Sequence, residues 1–190
     1  MICYKNPMWF ICFFTFALSI FFPAHADPVA TVEGIARVKD GDTLFIGPVE
    51  IRFAGIDAPE SEQRCRDFDK KTVEAGVMAT AALKRMADGK LVRCEITDNK
   101  TTYNRVVAEC FAGDVNLSRE MVRQGWAYAY VRFSTAYLAE EKDARAQQRG
   151  VHAMKCAYPA YFRCREFDQA PAKECQAKIR NDYFRPPRAN

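Results

Sequence analysis

With 190 residues, of which 49% are hydrophobic and 27% charged, the chain suits one compact globular domain and excludes a fibre, a disordered tail or two full domains. Its formal charge of +4 and pI near 8.6 are too mild to establish a nucleic-acid partner, although arginines gathered on one face would create a local positive surface that such totals hide. Eight cysteines are the remaining bulk signal.

The first seven residues carry one cation, Lys5, and an apolar run from Met8 to Phe22 follows, then Pro23 and the small-residue triplet Ala24-His25-Ala26. This is the pattern of a secretory signal peptide spanning residues 1–26, because a membrane-spanning helix needs roughly 20 apolar residues and carries no such cleavage triplet. Cleavage leaves 190 − 26 = 164 residues and, without Lys5, a formal charge of +3. The expectation is an exported chain, periplasmic or secreted, monomeric and with no stable membrane association. Cys3 and Cys12 leave with the leader, and the six that remain are Cys65, Cys94, Cys110, Cys156, Cys164 and Cys175. An even number in an exported chain favours disulfides. Zinc is disfavoured, since no C-x-x-C pair exists and His152 is the only histidine left.

From Thr31 to Phe53 the sequence is rich in Val, Ile, Phe and Thr and breaks at Asp40-Gly41 and Gly47-Pro48, which predicts three antiparallel strands. In the third, Val49, Ile51 and Phe53 alternate with Glu50 and Arg52, so the apolar set faces a core and Arg52 points to the other face. A loop over residues 54–66 leads to a helix expected from about Asp67 to Ala87, with Ala75, Ala79, Ala82, Leu83 and Met86 as its buried stripe. Asp88-Gly89 ends it, and Val92, Cys94 and Ile96, then residues 106–111, form a second hairpin. Asn116 caps a short helix ending near Gly125, and Ser134 or Thr135 caps another reaching Gly150. The result is an α+β fold, a five-stranded OB-type β-barrel with three α-helices, over residues 27–152. Residues 153–190 form a cysteine-containing extension, stapled or loosely ordered.

The informative stretch is Asp40-Gly41-Asp42-Thr43, then Arg52, then Gly55-Ile56-Asp57-Ala58-Pro59-Glu60. Antiparallel pairing would bring the Asp42 and Asp57 carboxylates together, and hard oxygen ligands of this kind suit calcium. Alone, each fragment is better read as a turn, since Asp-Gly and Asp-Ala-Pro are ordinary strand stops. In this order and with these gaps they resemble the staphylococcal nuclease family. The likeness extends from about Val32 to Gly150 and takes in Tyr103-Asn104-Arg105-Val106-Val107-Ala108 and Val122-Arg123-Gln124-Gly125-Trp126-Ala127.

The resemblance implies that Asp42, Asp57 and the backbone carbonyl of Ala58 hold Ca2+, with Asp40 orienting the site from behind. Glu60 corresponds to the carboxylate that orients or deprotonates the attacking water, and Arg52 and Arg105 to the arginines that grip the scissile phosphate, for which planar guanidinium forks are suited. Tyr103 and Tyr130 would lie beside the bound nucleotide. Asn104 stands where the family has Gly, a position Asn tolerates better than most residues. The implied activity is calcium-dependent, sugar-nonspecific hydrolysis of DNA and RNA, single strands favoured, leaving 3′-phosphate ends. Two rival readings are a noncatalytic OB-fold module that binds nucleic acid or protein and a disulfide-stabilised envelope protein, and neither gives a reason for Asp42, Asp57, Glu60, Arg52 and Arg105 to coexist.

Cys94 and Cys110 fall on inward positions of adjacent strands and are expected to pair. Cys65, Cys156, Cys164 and Cys175 retain three possible pairings, and a link from Cys65 ties the loop around Glu60 to the tail.

Overall fold

The computed structural model describes residues 30–102 and 105–184. The proposed leader, the candidate Tyr103 and its neighbour Asn104 lie outside the described residues.

Strands β1 (Thr31–Val38), β2 (Thr43–Ile46) and β3 (Val49–Phe53) form the expected antiparallel meander, with Ala36 opposite Ile46 and Leu44 opposite Ile51. Ile51 and Phe53 are buried and Val49 half-buried, as the alternation requires. The chain then makes β4 (Ile56–Asp57) and an unforeseen ribbon, β5 (Arg64–Arg66) with β6 (Thr72–Glu74). This ribbon displaces the start of the first helix, expected near Asp67, to Ala75. Asp67 accepts the Lys71 N–H at 2.8 Å and Lys70 adopts a positive φ of 65°, so these residues close a turn rather than begin a helix.

Helix α1 (Ala75–Ala87) buries Ala75, Ala79, Ala82 and Leu83, while Met86 is only partly covered. Strands β7 (Leu91–Thr102) and β8 (Arg105–Ala112) pair with Cys94 directly opposite Cys110, and these two cysteines are disulfide-bonded. A parallel pairing of β8 with β3 closes the sheet in the order β3-β2-β1-β7-β8 into the five-stranded barrel. After β9 (Val115–Asn116), Asn116 caps α2 (Leu117–Arg123) by accepting the Arg119 N–H at 2.9 Å.

Strand β10 (Tyr128–Ala129) pairs with β4, and α3 (Leu138–Ala146) follows. This helix neither begins at Ser134 or Thr135 nor reaches Gly150. A turn at Tyr130 takes the N–H groups of Phe133 and Ser134, and the fully buried Tyr137, whose hydroxyl donates to Glu109 at 2.9 Å, fixes the chain where the helix begins.

A 3-10 turn at Gly150–Ala153 leads into the extension, which is an ordered hairpin of α4 (Pro159–Glu166) and α5 (Ala172–Tyr183) linked by Cys164–Cys175. The three expected helices are therefore joined by two more. Cys65–Cys156 ties β5 to the start of this hairpin, so the tail is stapled and not loose. Two cores result. The larger fills the barrel and the faces of α1 and α2, and the smaller joins Cys65, Ala75, Tyr128, Val151, Ala160 and Tyr183 beneath the hairpin.

His152 lies at the edge of this smaller core, edge-on to Tyr128 with ring centroids 5.4 Å apart. Burial and the nearby charge of Arg145 push its imidazole down from 6.5 to about 4. The folded state thus favours the neutral ring, so the stability it contributes is complete above pH 6.5 and is lost as pH falls toward 4. After allowance for solvent screening this amounts to about 1–2 kcal/mol. Urea unfolding at pH 7.5 and pH 4.5 should show His152→Gln losing less stability than the wild type by that margin, and equal losses would place the ring in water.

Candidate active site

The closing of the barrel brings the two sequence-predicted arginines together. The parallel register sets Arg52 beside Val107, and partners in such a pair share a face. Arg105 precedes Val107 by two residues on β8 and so projects to the same side. Arg52, Arg105 and Val107 all line one cavity of about 860 Å³, with Asp40 and Glu60 also on its wall.

Asp42 and Asp57 converge beneath Arg52. One terminal nitrogen of Arg52, Nη1, bonds Asp42 Oδ1, and the other, Nη2, reaches Asp57 Oδ1 at 2.6 Å. Asp42 is set in place by the turn before β2. Its N–H donates to Asp40 Oδ1 at 3.1 Å, and its Oδ2 accepts the Ala58 N–H at 2.7 Å. Asp40 and Ala58 are thus the hydrogen-bond partners that position Asp42. Gly41 is needed there because a Cβ would come within 2.7 Å of the Ala58 Cβ. Asp57 is held by the ladder of β4 with β10, where it faces Tyr128, and Glu141 of α3 anchors β10 by accepting the Ala129 N–H at 3.1 Å.

Both aspartates are buried, and their environments push them apart. Burial raises Asp42 to about 7 against the pull of Arg52, with the neighbouring Asp40 and Asp57 adding to the rise. Burial also pushes Asp57 up, but Arg163 and Arg52 together outweigh it and hold the carboxyl below its ordinary value. Both guanidinium groups are correspondingly raised, since the carboxylates they face overcome the cost of their burial.

The carboxylates beneath the cavity are of the donor type that suits a hard divalent cation. Asp42 and Asp57 present oxygens within the span of a single guanidinium, and carboxylate oxygen is what calcium prefers. Among the described residues no group of three His, Cys, Asp or Glu gathers around a common point, so a calcium ion here would complete its shell with backbone carbonyl and water oxygens.

Glu60 is positioned from two sides. Its N–H donates to Gln63 Oε1 at 3.2 Å, its carbonyl accepts the Gln63 N–H at 2.8 Å, and Gln63 Nε2 donates to the Ala157 carbonyl at 2.7 Å. Gly76, in the first turn of α1, lies against the same loop, where a Cβ would stand 1.8 Å from the Glu60 carbonyl oxygen. A glycine inside a helical pattern is the signal by which the sequence marks such a close approach. Tyr130 lines the cavity, while its hydroxyl donates to Asp182 at 3.1 Å and its ring packs on Phe133 and Tyr183.

Arg163 and Tyr183 are the site residues that sequence reasoning missed. Arg163 of α4 bonds Asp57 and Glu60, and Tyr183 of α5 bonds Asp57. No local pattern distinguishes them, because their partners lie more than a hundred residues away in the chain.

Gly76→Ala should force the Glu60 loop or the helix aside and destabilise the fold by about 1–3 kcal/mol. Val77→Ala, at an exposed position of the same helix, should stay within about 0.5 kcal/mol. Urea unfolding compares the two, and indistinguishable midpoints would mean that the loop yields without cost.

Residues 50–153 match the family described as staphylococcal nuclease homologue. A Haemophilus influenzae protein named as an uncharacterized endonuclease is 31% identical over 126 residues, which span 63% of this chain and 65% of that protein, just under two thirds of its length. An Escherichia coli protein of the same description is 31% identical over 124 residues, spanning 62% of this chain and 74% of its own. The family segment contains Arg52, Asp57, Glu60 and Arg105 and covers more than half of the residues, so the chain belongs to the staphylococcal nuclease homologue family.

Proposed function

We propose that this protein is an exported, calcium-dependent nuclease that hydrolyses phosphodiester bonds of DNA and RNA. The observation that carries this reading is the gathering of Arg52, Arg105 and Glu60 around one cavity with Asp42 and Asp57 beneath it. In-line attack of water on phosphorus builds negative charge on the non-bridging oxygens, which the two guanidinium groups stabilise. Glu60 orients the water or accepts its proton. The P–O5′ bond breaks, the 5′ oxygen leaves as a hydroxyl once protonated, and the phosphate stays on the 3′ side. Calcium held by Asp42, Asp57 and the Ala58 carbonyl would supply Lewis-acid polarisation of a phosphate oxygen.

Substrate breadth follows from what the cavity offers. Arg52, Arg105 and Arg132 address phosphate, and Tyr130 and Phe133 address base faces, none of which reads a base edge. Tyr103, just before Arg105, is proposed for the same nucleotide-facing wall. A cavity of about 860 Å³ admits a flexible single strand more readily than a duplex. Export to the periplasm or medium is supported by the leader pattern of residues 1–26 and by three disulfides, which persist in oxidising compartments. We take the working form to be a monomer. A noncatalytic binding module remains the second reading because Arg163 already occupies Asp57 and Glu60.

The exported chain should cut single-stranded DNA and RNA with calcium and not with chelator, leaving ends that a polymerase extends only after dephosphorylation. Arg105→Ala or Arg52→Lys, the latter keeping a charge beside the two buried aspartates, should lower kcat by about 100- to 1000-fold, and Glu60→Ser by about 100- to 10,000-fold, with circular dichroism unchanged. Wild-type protein that binds single-stranded DNA but leaves it intact across calcium, magnesium and manganese would install the binding module instead.

A further inference from the structure

Asp57 has no exposed side-chain surface, and four donors surround its two oxygens. Arg52 Nη2 and Arg163 Nη1 reach Oδ1 at 2.6 and 3.0 Å, while Arg163 Nη2 reaches Oδ2 at 2.8 Å and the Tyr183 hydroxyl closes on that same oxygen. Arg163 Nη1 also holds Glu60 Oε1 at 2.5 Å. A carboxylate offers about four lone-pair positions, so Asp57 is saturated and cannot ligate a metal ion unless a donor gives way.

The donors come from two parts of the fold. Arg52 rises from a barrel strand paired on both sides. Arg163 and Tyr183 belong to the α4–α5 hairpin, which Cys164–Cys175 makes a single unit. That hairpin rests on the small aromatic core of Tyr128, Tyr158 and Tyr183 and is anchored at its far end by Asp182, which accepts from Tyr130 and Arg132. Three of the four donors to Asp57 thus belong to the hairpin and one to the barrel.

We infer that Arg163 and a divalent cation compete for Asp57, so that the C-terminal hairpin sets the cation affinity of the site. This rests on the calcium reading given above. Like charges at one carboxylate exclude each other, and the competition is reciprocal, so bound calcium loosens the hairpin by the same factor by which the hairpin weakens calcium. Arg163 is thereby an affinity-determining residue supplied from outside the family segment, which ends at residue 153.

Calorimetric titration of the full exported chain with calcium tests this, using wild type, Arg163→Gln, Arg163→Lys and Tyr183→Phe. Arg163→Gln should bind calcium about 10- to 100-fold more tightly, Tyr183→Phe somewhat more tightly, and Arg163→Lys, which keeps the charge but loses the fork, in between. Hydrogen exchange on the wild type needs no substitution, and saturating calcium should speed exchange across residues 159–166 and 172–183 while leaving the barrel unchanged. Calcium binding of equal strength in wild type and Arg163→Gln, with no change in hairpin exchange, overturns the competition and leaves the calcium reading standing. If neither folded protein binds calcium, the calcium reading falls and this inference with it.

Discussion

The structure turns on a buried carboxylate that must never be left alone. Asp57 lies on a two-residue strand with no side-chain exposure, and its folded state depends on Arg52, Arg163 and Tyr183 arriving together. Stripping water from such an ion costs several kcal/mol, and removing one partner of a buried pair costs about 3–5 kcal/mol because the remaining charge is stranded. The three partners come from β3, α4 and α5, so the barrel and the extension cannot fold to this arrangement independently of each other. The β4–β10 ladder and the Glu141 anchor on Ala129 then fix the height at which Asp57 meets them.

The disulfides divide the same work by loop length. Cys65–Cys156 spans 91 residues, and closing a loop of that size in the unfolded chain is worth about 4–5 kcal/mol, against about 3 for the 16- and 11-residue spans of Cys94–Cys110 and Cys164–Cys175. The long link does most to bring the extension to the site, since it joins the ribbon beside the Glu60 loop to the residue just before α4. The short links act locally, one across the β7–β8 hairpin that delivers Arg105 and one across α4 and α5. Gln63 adds a polar tie along the same seam through Ala157.

What the sequence made legible was local. The alternation of Val49, Ile51 and Phe53 placed Arg52 correctly, and the opposition of Cys94 and Cys110 followed from strand phase alone. Asn116 declared its helix because a cap is a contact between near neighbours. The failures were contacts with no local signature. The β5–β6 ribbon competes with helix over residues whose composition suits either, and its pairing with Lys155 and the Cys156 link decide the contest from far along the chain. The two C-terminal helices lack a strong apolar stripe because much of what they bury is the aromatic cluster and a charge pair. Gly76 was a long-range contact with a local sign, a residue that weakens a helix standing in its first turn.

The reach of the family likeness has a physical limit that follows from where these contacts originate. Residues 50–153 include the arginine on β3, the aspartate on β4, the glutamate beyond it and the arginine on β8, but they span only three of the five barrel strands, since β1 and β2 precede them. Asp42 and Asp40 come from before it, and Arg163 and Tyr183 from after it. Yet Arg163 is, after burial itself, the largest influence on Asp57, ahead of Arg52. The electrostatic state of Asp57 is therefore governed in large part by a residue the shared segment does not contain. Two members with identical barrels and different tails would hold the same oxygens at different readiness to accept a cation.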